Sequence, residues 1–372
     1  ISFEKEAILN WLRTNEVCPI TREYLDHSLI KPNIALKNLI DTLLNKKQQQ
    51  SKKPALNITK MTELTSITPT LGIIDDNYSL NIQTGKNKNT AKLHLTLVID
   101  ISGSMGSLVE MKNADGEKST YNLCYLDLVK HFIKTIIHSL NECSLTVVSF
   151  NNKANVVFSN KVINGENKEF LMEKVDVLRP NGTTDLWSGI TVGINETYTV
   201  SEDYLKQMIL LTDGIPTYEP PMGISKSIVK LIKTKGVEFP IHTIGFGYNL
   251  QVNILRDVSY YGNSGKFYYI PETSMLGTTL IHLLSNLLIK CTKSTVVELE
   301  IENDIVNTEF MKYTQSYKYE IDGNKVVINI GQLNSNSART LLFPKEHNVV
   351  RTTIRYIDLN NVLNSYEISN IE

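Results

Sequence analysis

The run Leu93-His94-Leu95-Thr96-Leu97-Val98-Ile99, ending on Asp100, constrains this chain more than any other segment. It is rich in Leu, Val and Ile and carries no formal charge before its last position, so it suits a strand covered on both faces. Such strands belong to parallel sheets, and parallel neighbours need long crossovers, usually helical. The sequence that follows supplies them. Tyr121–Leu140 places Tyr125, Leu128, Val129, Phe132, Ile133, Ile136 and Ile137 at helical spacing. Leu145–Phe150, Lys206–Leu211 and Pro240–Gly245 read as further strands with helical patterns between them, and Met275–Ile289 reads as a closing helix. The alternation predicts an α/β domain over residues 92–290, built on a doubly wound, mostly parallel, Rossmann-like sheet.

The flanks read differently. Residues 291–372 hold short β-branched or alternating runs at Thr295–Ile301, Lys325–Ile330, Arg339–Leu342 and Thr352–Ile357, with Asp322-Gly323-Asn324 as a turn. They predict a C-terminal β-sandwich. Residues 61–91 read as strands broken by turns at Thr68-Pro69 and Asp75-Asp76-Asn77, and are expected to join that sandwich from across the α/β domain. Residues 46–60 are polar, basic and rich in Lys and Gln, the composition of a solvated linker. Residues 1–45 form a small α+β unit with two amphipathic helical patterns, one through Phe3, Ala7, Ile8, Trp11 and Leu12, the other after Pro32. Two such helices cannot hold a core alone.

Several classes of function are disfavoured by composition. Among 372 residues, 38 Lys+Arg stand against 39 Asp+Glu, so no bulk charge attracts nucleic acid. No apolar run reaches the ~18 residues of a membrane-spanning helix. The opening residues Ile1-Ser2-Phe3-Glu4-Lys5-Glu6 lack the basic and apolar blocks of a signal peptide, and a start at Ile suggests that residues preceding it have been lost. The four cysteines, Cys18, Cys124, Cys143 and Cys291, form no C-x-x-C clip and read as reduced thiols, which places the chain in the cytoplasm or nucleus.

The chemistry concentrates after the first strand. Asp100-Ile101-Ser102-Gly103-Ser104 puts one carboxylate and two hydroxyls into one tight loop at the carboxyl end of a parallel strand, where open α/β sheets bind ligands. Gly182-Thr183-Thr184-Asp185 precedes a helix, and Leu210-Leu211-Thr212-Asp213-Gly214 ends a strand; each offers oxygen donors at the same edge. Hard oxygen donors suit Mg²⁺ or Mn²⁺ rather than zinc. A D-x-S-x-S string by itself is an ordinary Ser/Gly turn; three such loops in this order are not. No His lies in these loops, Ser104 lacks a G-x-S-x-G frame, and Gly245-Phe246-Gly247 with Leu250 is a broken dinucleotide motif, so the edge reads as a binding site rather than a hydrolytic one.

These three loops resemble the metal-ion-dependent adhesion site of the von Willebrand factor A domain. The resemblance covers about residues 92–290 and extends to Thr243-Ile244-Gly245-Phe246-Gly247 and Gly265-Lys266-Phe267-Tyr268-Tyr269, similar to the family's late strands. It implies direct metal ligation by Ser102 and Ser104, water-mediated ligation by Asp100 and Asp213, and Thr184 entering directly or through water. It implies a Mg²⁺ (or Mn²⁺) ion whose last ligand is an Asp or Glu carboxylate of a partner protein. A longer loop than the family's, Ser107 to Thr120, is expected to flank the metal and shape access to it.

Residues 3–44 resemble the second half of a U-box. The resemblance rests on Phe3–Ile8, Trp11-Leu12, Cys18-Pro19-Ile20-Thr21-Arg22 and Leu29–Ile40 with its Pro32-Asn33, and it places the U-box's first strands and first E2-contacting loop before Ile1. A U-box has the RING-like ubiquitin-ligase fold without zinc. The resemblance implies that Trp11 and Pro19 face an E2 ubiquitin-conjugating enzyme and that Arg22 bridges E2 and ubiquitin through its planar fork. Catalysis would be by positioning, with no covalent residue. U-boxes often pair, so a homodimer is allowed. The combination resembles eukaryotic E3 ligases that pair a RING or U-box with an A domain. The expected function is an E3 ubiquitin-ligase component; the alternative is a metal-dependent protein-binding scaffold with a vestigial U-box. Neither needs nucleic acid or membrane.

Overall fold

The computed structural model describes residues 12–13, 67–74, 77–86, 92–112, 118–140, 142–247, 250–263, 265–270, 276–302, 317–345 and 348–369. Trp11, Pro19, Arg22 and the linker at 46–60 lie outside the described residues.

The centre is a six-stranded sheet. Its strands are β3 (Leu93–Asp100), β6 (Ser144–Phe150), β7 (Ala154–Val162), β8 (Leu205–Thr212), β9 (Ile241–Phe246) and β10 (Phe267–Ile270), in the spatial order β10-β9-β8-β3-β6-β7. All neighbours are parallel except β7, which runs antiparallel to β6 at the edge. Chain order reverses at β3: β6 lies on one side and β8 on the other. That switch point opens a crevice at the strands' carboxyl ends.

Every residue of β3, β6, β8 and β9 is buried, and alternation divides their side chains between two cores. Leu95, Leu97 and Ile99 face α1 (Tyr125–Ser139), α2 (Lys168–Asp176) and α6 (Leu276–Leu288). Val98, Val148, Phe150, Met208 and Leu210 face α3 (Leu186–Tyr198), α4 (Ile224–Lys235) and α5 (Val252–Tyr261). The doubly wound α/β fold expected for this region is the observed one.

The remaining strands are antiparallel. β1 (Ile67–Ile74) pairs with β2 (Asn77–Thr84), and β2 with β14 (Ala338–Pro344). A five-stranded sheet runs β12 (Lys318–Asp322), β13 (Lys325–Asn329), β11 (Thr292–Ile301), β15 (Val349–Asp358), β16 (Leu363–Ser369). The two sheets share one core, in which Tyr78, Leu80, Ile82, Leu341 and Phe343 meet Val297, Leu299, Val326, Ile328 and Ile354. Their period-2 burial is that of a sandwich.

Four local readings need correction. The helix expected from Tyr121 begins at Tyr125, because Asp127 Oδ2 accepts from the Cys124 N–H at 3.1 Å and closes a cap there. The segment at Ser107–Thr120 is no plain loop: β4 (Leu108–Lys112) pairs with β5 (Lys118–Cys124), which runs into α1. Strand β7 was not anticipated, since register shifts and a left-handed Asn160 (φ 48°) blur its alternation. Thr68-Pro69 is not a turn; Pro69 sits in β1, an edge strand where its missing N–H is tolerated.

Candidate functional site

The carboxyl ends of β3 and β8 carry Asp100 and Asp213, on either side of the switch point. Asp100 is fully buried and spends both oxygens on the protein. Oδ1 accepts from the Ser102 N–H at 2.7 Å, and Oδ2 from the Thr212 hydroxyl at 2.5 Å. That pair of bonds folds the chain back after β3 and turns Ser102 and Ser104 toward β8. Ser102 Oγ lies 3.1 Å from Ser104 Oγ, and Ser104 Oγ donates to Asp213 Oδ1 at 2.8 Å.

The middle loop leads into α3, with Asp185 as its N-cap. The Gly103 N–H donates to Gly182 O at 3.0 Å, and the Asn181 N–H to Ile101 O at 2.8 Å, so it is bonded directly to the first loop. Gly182 has φ 75°, and a Cβ there would collide with Asn152 Oδ1, so glycine fits both the conformation and the space. Thr184 is pinned by Thr217: the Thr184 N–H donates to Thr217 Oγ1 at 3.1 Å, and the Thr217 N–H to Thr184 O at 3.0 Å. A Cβ added at Gly214 would stand 3.3 Å from Thr184 Oγ1 and 3.6 Å from Ser104 Oγ, so the three loops converge there. The fold thus brings Asp100, Ser102, Ser104, Thr184 and Asp213 into one cluster. Only Ser104 of the five is exposed.

The electrostatics of the cluster are unbalanced. Burial, then repulsion from Asp100, raises the Asp213 carboxyl to about 6 against the pull of the Ser104 hydroxyl. Asp100 is also shifted upward, by burial, although bonds from Ser102 and Thr212 oppose the shift. No Lys, Arg or His contributes to either shift. Two carboxylates beside three hydroxyls, with no cation among the described residues shifting either one, are a donor set that a hard divalent ion fits. Among the described residues no group of three or more His, Cys, Asp or Glu could hold a metal; this cluster has two such residues, Asp100 and Asp213, and its other donors are hydroxyls.

Sequence reasoning missed the residues that hold the cluster. Thr212 stood inside the quoted Leu-Leu-Thr-Asp-Gly string; only the fold brings its hydroxyl to Asp100. Asn152, after β6, accepts from the Thr183 N–H at 2.6 Å, and Asn151 Nδ2 donates to Asn181 Oδ1 at 2.5 Å. An Asn pair after a strand end at the same edge was the signal. Beyond the cluster, Ile215, Tyr218 and Met222 are exposed on the segment that follows β8, and Leu108 on the segment that follows β3.

A family model described as von Willebrand factor type A domain matches residues 94–280, and one described as U-box domain matches residues 1–49. An uncharacterized protein of Synechocystis is 26% identical over 291 residues, covering 72% of this chain and 62% of that protein. The chain therefore spans less than two thirds of that curated relative. Among solved structures, a von Willebrand factor type A protein from Catenulispora acidiphila superposes with a TM-score of 0.61 at 15% identity, covering 84% of this chain and 75% of that one. The ArnB paralog VWA2 from Sulfolobus acidocaldarius aligns at 17% identity and a TM-score of 0.48, covering 82% and 74%. With half of its length matched by that one family model, the chain belongs to the von Willebrand factor type A domain family.

Proposed function

We propose that this protein is a component of an E3 ubiquitin ligase, in which the U-box recruits an E2 and the A domain captures a partner or substrate protein. The observation that carries this reading is the presence of both domain types in one chain: the U-box is an E3-associated module and the A domain a protein-interaction module. In this reading Trp11 and Pro19 contact E2, and Arg22 holds E2 and ubiquitin in the reactive pose.

Von Willebrand factor A domains often bind a divalent metal. Here Ser102, Ser104 and Thr184 hydroxyls with the Asp100 and Asp213 carboxylates would hold Mg²⁺ (or Mn²⁺), and the ion would supply a Lewis-acidic position for an Asp or Glu of the partner. The chain's own residues do the rest. Asp100 anchors the first loop, Thr217 positions Thr184, and exposed Ile215, Tyr218 and Met222 offer apolar contact beside the acidic anchor.

The test is autoubiquitination by the full-length chain with a panel of E2 enzymes, comparing wild type with Arg22→Ala. Ubiquitin chains that form with wild type and fade with the variant support the ligase. No activity with any E2 overturns it and leaves the A domain as a metal-dependent binding scaffold, which a Mg²⁺-dependent pull-down with Ser104→Ala as control would then define.

A further inference from the structure

Where the α/β domain meets the β-sandwich, the two line a partly open cavity of about 230 Å³, remote in chemistry from the acidic cluster at the switch point. Its wall is drawn from several elements: His242 on β9, Lys266 just before β10, Lys290 between α6 and β11, Lys318 on β12, Gln332 after β13 and Arg339 on β14. Four of these six residues are cations, and no Asp or Glu lines the cavity among the described residues. None of the four forms an ion pair with a described carboxylate.

His242 adds shape rather than charge. Its Nδ1 accepts from the Lys266 N–H at 3.1 Å and its Nε2 lies 3.1 Å from Gln207 Oε1, so the ring is held neutral with Nε2 as the donor. Gln207 in turn donates from Nε2 to Gln332 Oε1 at 2.5 Å. This chain of amides fixes the cavity wall across the domain junction.

Ammonium groups withdrawn from water beside other cations are costly unless an anion accompanies them. Lys290 shows that cost: burial first, then Lys266 and Arg339, push its ammonium down to about 7. Lys266, although exposed at the cavity mouth, is lowered as well, by partial desolvation and then by Arg339. Cationic side chains from four separate segments, lining one space, match a ligand with several acceptor oxygens better than a planar carboxylate, and an arginine fork suits a phosphate. The space is smaller than the roughly 300–1,000 Å³ that houses a drug-sized ligand.

We propose that this cavity binds a small phosphate-bearing ligand, held by Lys266, Lys290, Lys318 and Arg339 across the junction of the α/β domain and the β-sandwich. The ligand neutralises the junction and thereby ties the two domains together. The site is independent of the ubiquitin-ligase reading.

The experiment is calorimetry on the full-length protein in metal-free buffer, with inorganic pyrophosphate as probe and sulfate at matched ionic strength as control, alongside thermal unfolding. Expected are saturable one-to-one binding of pyrophosphate and a melting temperature that rises with its concentration. Lys290→Met keeps the long apolar stem and removes an uncompensated charge, so it is expected to fold at least as stably as wild type. Its affinity for pyrophosphate is expected to fall by about tenfold or more. Lys266→Gln, at a more exposed position, gives a second variant with the same expected loss. No binding, wild-type affinity in both variants, or equal stabilisation by sulfate would overturn the proposal.

Discussion

Under the proposed metal-binding reading, proton and metal compete at Asp213. Its carboxyl titrates near 6 rather than 3.8 in the metal-free fold, so a divalent ion must displace a proton from it at mildly acidic pH. Mg²⁺ affinity is therefore expected to hold above pH 7 and to fall below pH 6 by up to about tenfold per pH unit, read by calorimetry at several pH values; a flat profile contradicts this. The linkage to stability runs the same way. A carboxyl raised above its unfolded value contributes stability that is full below 3.8 and lost as pH rises through 6, so Mg²⁺ is expected to raise the melting temperature more at pH 7.5 than at pH 5. His94 and His242 act oppositely. Burial, chiefly, lowers them from 6.5 to about 4 and about 3, so their contribution is full above pH 6.5 and lost as pH falls through those values. Acid unfolding monitored between pH 7 and 3 checks this, with His94→Gln expected to shift the onset to lower pH. Asp100 is more structural than its place in the motif suggested. Asp100→Ala strands the Ser102 N–H and the Thr212 hydroxyl, and is expected to cost about 1–3 kcal/mol of stability as well as metal binding. Ser104→Ala, at the exposed hydroxyl, is the cleaner metal-site variant.

At the scale of elements, helix periodicity located α1, while a single cap set its first residue. The apolar stripe from Tyr125 to Ile137 was legible, but Asp127 closing on Cys124 left Tyr121–Cys124 to β5, where Cys124 pairs with Leu108 across a register shift. The interval between the first loop and α1 is consequently a hairpin beside the cluster. Helix α3 illustrates the opposite limit. Gly193 faces the sheet so closely that a Cβ would collide with Val98 Cγ2 and stand 2.7 Å from Met208 Cε. Gly193→Ala, normally favourable in a helix, is expected here to destabilise by about 1–3 kcal/mol in chemical denaturation, because overpacking displaces α3 from β3 and β8. Nothing in the one-dimensional pattern distinguishes that glycine from a solvent-facing one. The edge strand β7 was illegible for a related reason: its bulges break the period on which strand reading depends.

For the whole molecule, the junction between the α/β domain and the sandwich is polar rather than greasy. Buried Gln207 spans it, joined to His242 on its own sheet and to Gln332 across the boundary. Gln332→Ala is expected to cost about 1–3 kcal/mol by leaving the Gln207 amide unpaired, measured as a fall in the unfolding midpoint of the full chain. The sequence by itself determined the α/β class, the central strands and the three oxygen-rich loops, since these are consequences of local periodicity and of side-chain chemistry at strand ends. It located the residues of the acidic cluster because each sits at a fixed offset from a readable strand. Only the tertiary structure decided the reversal of strand order at β3, the supporting roles of Thr212, Thr217 and Asn152, and the meeting of Lys266, Lys290, Lys318 and Arg339 in one cavity. Those depend on segments far apart in the chain, and pairing between such segments is set by burial and packing of the whole core rather than by any local pattern.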